Sequence, residues 1–184
     1  AIVYLHGAAG AGTDNLKQIA GGNTLGTHAW TTKERQARHP AFVIAPQAAL
    51  GERWSTTTSQ LAPYASLALE LLSNLSKEFS FHADRIYLVG QSLGGYGTWD
   101  LVSKRPELFA AAVPLCGGGD PARVAAARNV PIWAFHGAVD QTVPVDRSRE
   151  MVAALRAAGS AVKYTEYPGV GHNVWTVAFA EREL

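Results

Sequence analysis

Six short apolar runs rich in Val, Ile and aromatic residues punctuate the chain: Ile2–Leu5, Phe42–Ala45, Ile86–Val89, Ala110–Pro114, Ile132–Phe135 and Val162–Tyr167. Most run straight on without alternating polar and apolar positions. That is the pattern of strands buried on both faces. Helical patterns lie between them. The clearest sets Leu61, Ala65, Ala68, Leu72, Leu75 and Phe79 at three- and four-residue steps, with Pro63 in the first turn, where its missing N–H does no harm. A second spans Asp146–Ala158, with Met151, Val152 and Leu155 facing inward and Gly159 as its stop. Shorter helices fit Leu93–Ser103, Pro121–Arg128 and Ala29–Arg38. Strand, helix, strand, repeated, predicts an α/β fold: a minimal, mostly parallel sheet of about six strands with helices on both faces.

Length and composition bound the rest. At 184 residues, with no repeat, low-complexity tract or linker, the chain is expected to form one domain over 1–184. Hydrophobic residues make up 47%, charged residues 17%, and the formal net charge is +1, a globular rather than a disordered or nucleic-acid-binding balance. No basic run interleaved with aromatics occurs, and no uncharged apolar run approaches the ~18 residues of a membrane span. Ala1 opens inside an apolar run with no charged leader before it, so no signal peptide is visible. Ala1 is no natural start either, so a processed or trimmed terminus is expected and localisation stays open between secreted or periplasmic and cytoplasmic. Cys116 is the one cysteine. It excludes an internal disulfide and a cysteine-based zinc site, and its apolar neighbours make it a buried structural thiol.

Chemistry concentrates in RIYLVGQSLGGYGTWD, residues 85–100. Gly90-Gln91-Ser92-Leu93-Gly94 matches Gly-x-Ser-x-Gly with a strand before it and a helix after it. A serine at so sharp a strand-to-helix turn is lifted clear of the sheet. Side chains two residues to either side would collide with each other or with the neighbouring strand. Ser92 is therefore the candidate nucleophile. The N–H of Leu93, at a helix N-terminus, is placed to stabilise a developing oxyanion.

A nucleophilic serine needs a base and a group that orients the base. Asp140 lies in a loop just past the fifth strand, and His172 in a Gly-rich loop after the last. Both sit at carboxyl ends of strands, where the crevice of an open parallel sheet lies. His172 would take the Ser92 proton and Asp140 would fix its tautomer. The other acids have duller roles: Asp146 as a helix N-cap, Asp100 behind the elbow and pointing away, Asp120 at a helix start. His136 ends a strand and reads as a hydrogen-bonded structural residue; His28, His39 and His82 read as surface residues. No carboxylate cluster or His-Glu-x-x-His pattern suggests a metal, and no cofactor is expected.

The second oxyanion donor is expected from His6-Gly7-Ala8-Ala9, directly after the first strand, with the N–H of Ala8 as the candidate. No phosphate-binding glycine pattern accompanies this loop. Trp54, Gln91 and Trp175 are the candidates for substrate contact, and Trp99 is core.

The stretches LHGAAGAGTDN, HPAFVIAPQ followed by RW, GQSLGGYGTWDL, PELFAAAVPLCGGGD and GVGHNVW resemble the α/β-hydrolase superfamily. More narrowly they resemble the esterase branch that contains family-one carbohydrate esterases, feruloyl esterases, polyhydroxyalkanoate depolymerases and predicted peptidases. The resemblance implies an α/β-hydrolase fold with Ser92 as nucleophile, Asp140 as acid and His172 as base. It also implies a serine carboxylester hydrolase acting without cofactor on a small-molecule or carbohydrate-linked ester. Such relatives usually carry further strands before AIVYLHG and more helix after AEREL, and GAGERG where this chain reads GAAGAG. No insertion long enough for a large lid is present, which favours small or protruding acyl groups. A peptidase of the prolyl-oligopeptidase type is the alternative of the same chemistry, although nothing here supplies an anchor for a peptide terminus. A non-catalytic binding protein on the same fold is the other, although such proteins usually lose a triad member. Oligomeric state is not readable.

Overall fold

A computed structural model describes residues 1–184. Its strands are β1 Ile2–Leu5, β2 Val43–Ile44, β3 Tyr87–Gln91, β4 Ala111–Leu115, β5 Trp133–Gly137 and β6 Lys163–Tyr167. They form one sheet in the order β2-β1-β3-β4-β5-β6, and every neighbouring pair is parallel. The helices are α1 Thr24–Thr31, α2 Lys33–Arg38, α3 Pro63–Glu78, α4 Leu93–Lys104, α5 Asp146–Ala157 and α6 Trp175–Ala178.

The strand order explains the layering. From β1 the chain steps outward to β2, then returns across β1 to β3 and continues one way to β6. Right-handed crossovers in opposite directions put their helices on opposite faces. Residues of α1 and α6 accordingly pack with Ile2, Tyr4, Val89, Leu115 and Phe135 on one face. Residues of α3, α4 and α5 pack with Val3, Leu5, Leu88, Ala112 and Ala134 on the other. The reversal falls between β1 and β3, and the loops that leave those two strands open the crevice of such a sheet.

The structure shifts several expected boundaries. β3, β4 and β5 each run one to two residues further than their apolar runs, to Gln91, Leu115 and Gly137. Hydropathy alone misses such ends wherever they carry polar or glycine residues. The helix expected over Ala29–Arg38 is two: Thr32 is extended at ψ 146° and its side chain accepts the amide of Arg35, capping α2 and breaking the run. Pro121–Arg128 holds only a turn and a short 3-10 segment at Val124–Ala127. Phe79 falls just outside α3 and packs against Phe42, ring centroids 5.5 Å apart, rather than in the core. Val145, not Asp146, occupies the N-cap of α5; Asp146 is its first residue and pairs with Arg149 at 2.9 Å.

Candidate active site

The turn from β3 into α4 carries Ser92 at φ 54°, ψ −115°, a region a side chain rarely occupies. Its amide is held by the carbonyl of Leu115 on β4 at 2.9 Å. The flanking glycines are there for space: a Cβ at Gly90 would strike the carbonyl of Gly94, and one at Gly94 the carbonyl of Leu5 on β1. The helix thus starts pressed against two strands, with the serine hydroxyl above them.

Asp140 follows β5 and His172 follows β6. The amides of Ala138 and Val139 donate to the carbonyls of Tyr167 and Val170 at 3.0 and 3.1 Å, which draws the two loops together. One oxygen of Asp140, Oδ1, accepts the amides of Thr142 and Val143 at 2.8 and 2.9 Å. The other, Oδ2, lies 2.7 Å from Nδ1 of His172. Burial alone would push this carboxyl up; the hydrogen bonds from His172, Val143 and Thr142 outweigh it and hold Asp140 below the ordinary carboxylate range. A carboxylate only accepts, so Nδ1 carries the hydrogen and Nε2 presents a lone pair. Nε2 stands 2.8 Å from Oγ of Ser92. The imidazole edge also meets the indole of Trp175, with ring centroids 5.5 Å apart. Its side chain is 22% exposed, so water reaches the imidazole.

Two backbone amides face the same space. Ala8 and Leu93 both border an open cleft of about 520 Å³ together with Ser92, Leu50, Arg53 and Tyr96. Neither amide donates to an acceptor in the protein. Gly7, one residue before Ala8, has its amide taken by the side chain of Asn23 at 2.8 Å, so the free amides of this bend begin at Ala8. A larger cavity of about 770 Å³ at the opposite end of the sheet touches none of these residues.

His6 anchors the loop that carries Ala8. Its Nε2 accepts the amide of Ala48 at 3.0 Å and its Nδ1 donates to the carbonyl of Gly7 at 2.7 Å. Burial holds its pKa below the ordinary histidine value, so the ring stays neutral in this tautomer. Trp54 backs His6, edge to face at 5.1 Å, and donates from its indole to the His6 carbonyl at 3.2 Å. Trp54 is fully buried by that packing and does not reach the cleft, so its expected substrate contact is corrected. Gln91 is corrected too. Its side chain is buried and turned away from the serine, bonding Tyr4 and the carbonyl of Gly22. Of the three substrate-contact candidates only Trp175, half-buried beside His172, stands near the reacting groups.

The remaining acids and histidines divide. Asp100 does not simply point away: it forms a nearly buried pair with Lys104 at 2.7 Å and accepts the Thr56 amide. Asp120 caps a turn through the Ala122 amide. His28, His39 and His82 are exposed. His136 is fully buried, bonded to Ser148 at 2.7 Å and to the carbonyl of Val143 at 3.0 Å. It therefore also steadies the turn that presents Asp140. Its own place at the end of an apolar run was the one available sign of this.

Cys116 is buried beneath the site, and burial pushes its thiol well up. Its sulfur lies within 4.8 Å of ligand atoms on Asp140 and His172. A thiol held protonated beside an already paired Asp-His couple is a poor metal donor set. No helix of the protein is long and apolar enough to cross a membrane.

A thermostable esterase of known structure is 38% identical and superposes with a TM-score of 0.93, over 99% of this chain and 52% of that one. The esterase PE8 shares the fold at 24% identity and TM-score 0.69, covering 97% of this chain and 89% of its own. A protein of Escherichia coli O157:H7 named "Putative carboxymethylenebutenolidase" is 29% identical over 97 residues, 48% of this chain and 36% of that protein. The chain thus spans about a third of that relative and about half of the thermostable esterase. The family model for dienelactone hydrolases matches residues 29–183, which takes in the elbow, the acid loop and the base loop together, and the chain belongs to the dienelactone hydrolase family.

Proposed function

We propose that the protein is a serine carboxylester hydrolase acting on small or short-chain acyl esters. The observation that carries this reading is the unbroken line Asp140–His172–Ser92, at 2.7 and 2.8 Å, ending beside two unpaired amides. Nε2 of His172 takes the hydroxyl proton as Oγ of Ser92 attacks the ester carbonyl. The carbonyl oxygen becomes an oxyanion and moves toward the N–H groups of Ala8 and Leu93. The imidazolium, stabilised by Asp140, passes that proton to the alkoxide leaving group, and the alcohol departs from the acyl-enzyme. Water then enters the open cleft, His172 removes its proton, and a second tetrahedral adduct collapses to release the acid and Ser92. The reaction is redox-neutral and its protons balance: the Ser92 proton leaves on the alcohol, and the proton His172 takes from water passes to Oγ of Ser92 as the acid departs, so the residues named suffice. The membership of the family and the likeness to an esterase at 38% identity support an ester as substrate.

The test is hydrolysis of p-nitrophenyl esters from acetyl to dodecanoyl, wild type beside Ser92→Ala. Turnover falling with chain length and reduced at least about 10⁴-fold in the variant is expected. A folded Ser92→Ala protein that keeps substantial turnover would sink the assignment of the nucleophile. Wild type that cleaves no ester, and does not label with a fluorophosphonate, would sink the reading itself.

A further inference from the structure

The amide of Ala8 is free while that of its neighbour Gly7 is held, and what holds Gly7 leads back to Ser92. Asn23 stands at the start of α1 and is 1% exposed; its Oδ1 accepts the Gly7 amide at 2.8 Å. The hydroxyl of Tyr4, on β1, lies 3.3 Å from that oxygen and donates to Oε1 of Gln91 at 2.8 Å. Gln91, the residue before Ser92, donates through Nε2 to the carbonyl of Gly22 at 3.0 Å, and Gly22 precedes Asn23. Nδ2 of Asn23 reaches the carbonyl of Lys17 at 3.4 Å. Helix α1 is seated over this network because Gly26 leaves room for the Tyr4 ring, on which any Cβ would land. The residues beside the two oxyanion donors are therefore tied to each other through buried polar groups, from the elbow (Gln91) to the loop (Gly7).

Resting on the esterase reading above, we infer that Asn23, backed by Tyr4 and Gln91, is a positioning residue that aims the Ala8 amide at the oxyanion. Asn23 touches no reacting atom. Its carbonyl oxygen fixes the orientation of the Gly7 peptide unit, and the next peptide, which carries the Ala8 N–H, follows. The network does for one donor what the helix start does for Leu93. Gln91 owes its place in the Gly-x-Ser-x-Gly pentapeptide to this tie.

The signature of such a role is loss of transition-state binding without loss of substrate binding. The experiment compares wild type, Asn23→Ala and Asn23→Asp, the last keeping an acceptor oxygen opposite Gly7. Competent sites are first counted by stoichiometric fluorophosphonate titration. Then kcat and KM for p-nitrophenyl acetate are measured per titrated site. The inhibition constant of a trifluoromethyl ketone, which forms the tetrahedral adduct, is measured alongside. In Asn23→Ala, kcat per site should fall about tenfold, less than the 10² to 10³ of deleting a donor outright. KM should stay within about twofold, the ketone should weaken by the same factor as kcat/KM, and Asn23→Asp should recover most of the loss. The inference is overturned if kcat per site is unchanged and only the number of competent sites falls, or if kcat falls while ketone affinity does not. Where Asn23→Ala does not fold, Tyr4→Phe takes its place, with a fall of about threefold, the same split and the same overturning results. Failure of the esterase reading is visible earlier, in a wild type that neither turns over nor labels.

Discussion

The middle of the sheet and its carboxyl rim are built from opposite materials. In the middle, Val3, Leu88, Ala112 and Ala134 sit under α3, α4 and α5 in one apolar cluster with Leu72, Trp99, Met151 and Leu155. At the rim, His6 follows β1, Gln91 ends β3, His136 lies at the end of β5, and Asp140 follows it, all buried. Each of these polar side chains finds partners: His6 in Ala48 and Gly7, Gln91 in Tyr4 and Gly22, His136 in Ser148 and Val143, Asp140 in His172 and two amides. Burying a polar group costs about 1–3 kcal/mol when its partner is missing and little when it is present. Most of that risk lies in the layer where orientation matters, although the buried indole N–H of Trp99 stands without a partner in the middle. The middle holds the fold together, and the rim aims it.

Asp140→Asn should give the widest separation between the two layers. An amide can donate to His172 and lets the wrong ring nitrogen carry the hydrogen, so kcat should fall about 10⁴-fold while the melting temperature moves little. Steady-state kinetics beside calorimetry checks it; a loss below tenfold would show that the rim's geometry is not specific. Leu88→Ala should do the reverse, removing about 2–5 kcal/mol of stability because a buried leucine leaves a cavity. Activity per titrated site should stay within about twofold of wild type. A large kcat change in that variant would break the division.

Acid sharpens the comparison at the rim alone. His6 and His136 are both held neutral, with folded pKa values below the ordinary 6.5, chiefly by burial. Below pH 6.5 the unfolded chain therefore binds protons that the folded chain does not. Stability is full above that pH and declines as pH falls beneath it, by up to about 1.4 kcal/mol per pH unit for each histidine until its folded pKa is reached. Denaturant midpoints between pH 7.5 and 5 measure this; a flat profile would contradict the neutral assignment. Asp140 adds its own loss lower down, below the ordinary carboxylate value of 3.8, since its folded pKa is depressed. The smallest effect concerns backbone strain. Ser92→Gly should be about 1 kcal/mol more stable than Ser92→Ala, because only glycine sits at φ 54°, ψ −115° without cost. Equal midpoints for the two variants would mean the elbow stores no strain.

The middle of the sheet was legible from residue order because strands buried on both faces must be apolar without interruption. The meeting of Ser92, His172 and Asp140 was legible because an elbow glycine pattern is spaced by sterics and because the two partner loops follow particular strands. Trp54 was not: it lies in an irregular segment with no period to say which way a side chain turns, and only the packing of His6 decides. Gln91 did carry a signal. On β3 it shares a face with Tyr87 and Val89, opposite Leu88, and that parity aims it at α1 rather than the cleft. Asn23 had none, since its role depends on α1 crossing Tyr4 at Gly26. Thr32 went unread because a capping threonine inside a helical pattern looks like any exposed helical threonine.

The strand order has a consequence for how the molecule comes into being. β1 and β3 are neighbours in the sheet although 81 residues separate Leu5 from Tyr87 in the chain, and the elbow glycine Gly94 presses on the Leu5 carbonyl. A chain that has zipped β3 to β6 but not yet received β1 already owns serine, histidine and aspartate on adjoining loops, yet lacks Ala8. Long-range pairings of this kind close late, after the loop entropy between them has been overcome. On the proposed reading, the serine and the Ala8 amide come together only through this long-range pairing. If the proposed reaction holds, full turnover requires the finished sheet, because β1 brings the Ala8 amide to the elbow.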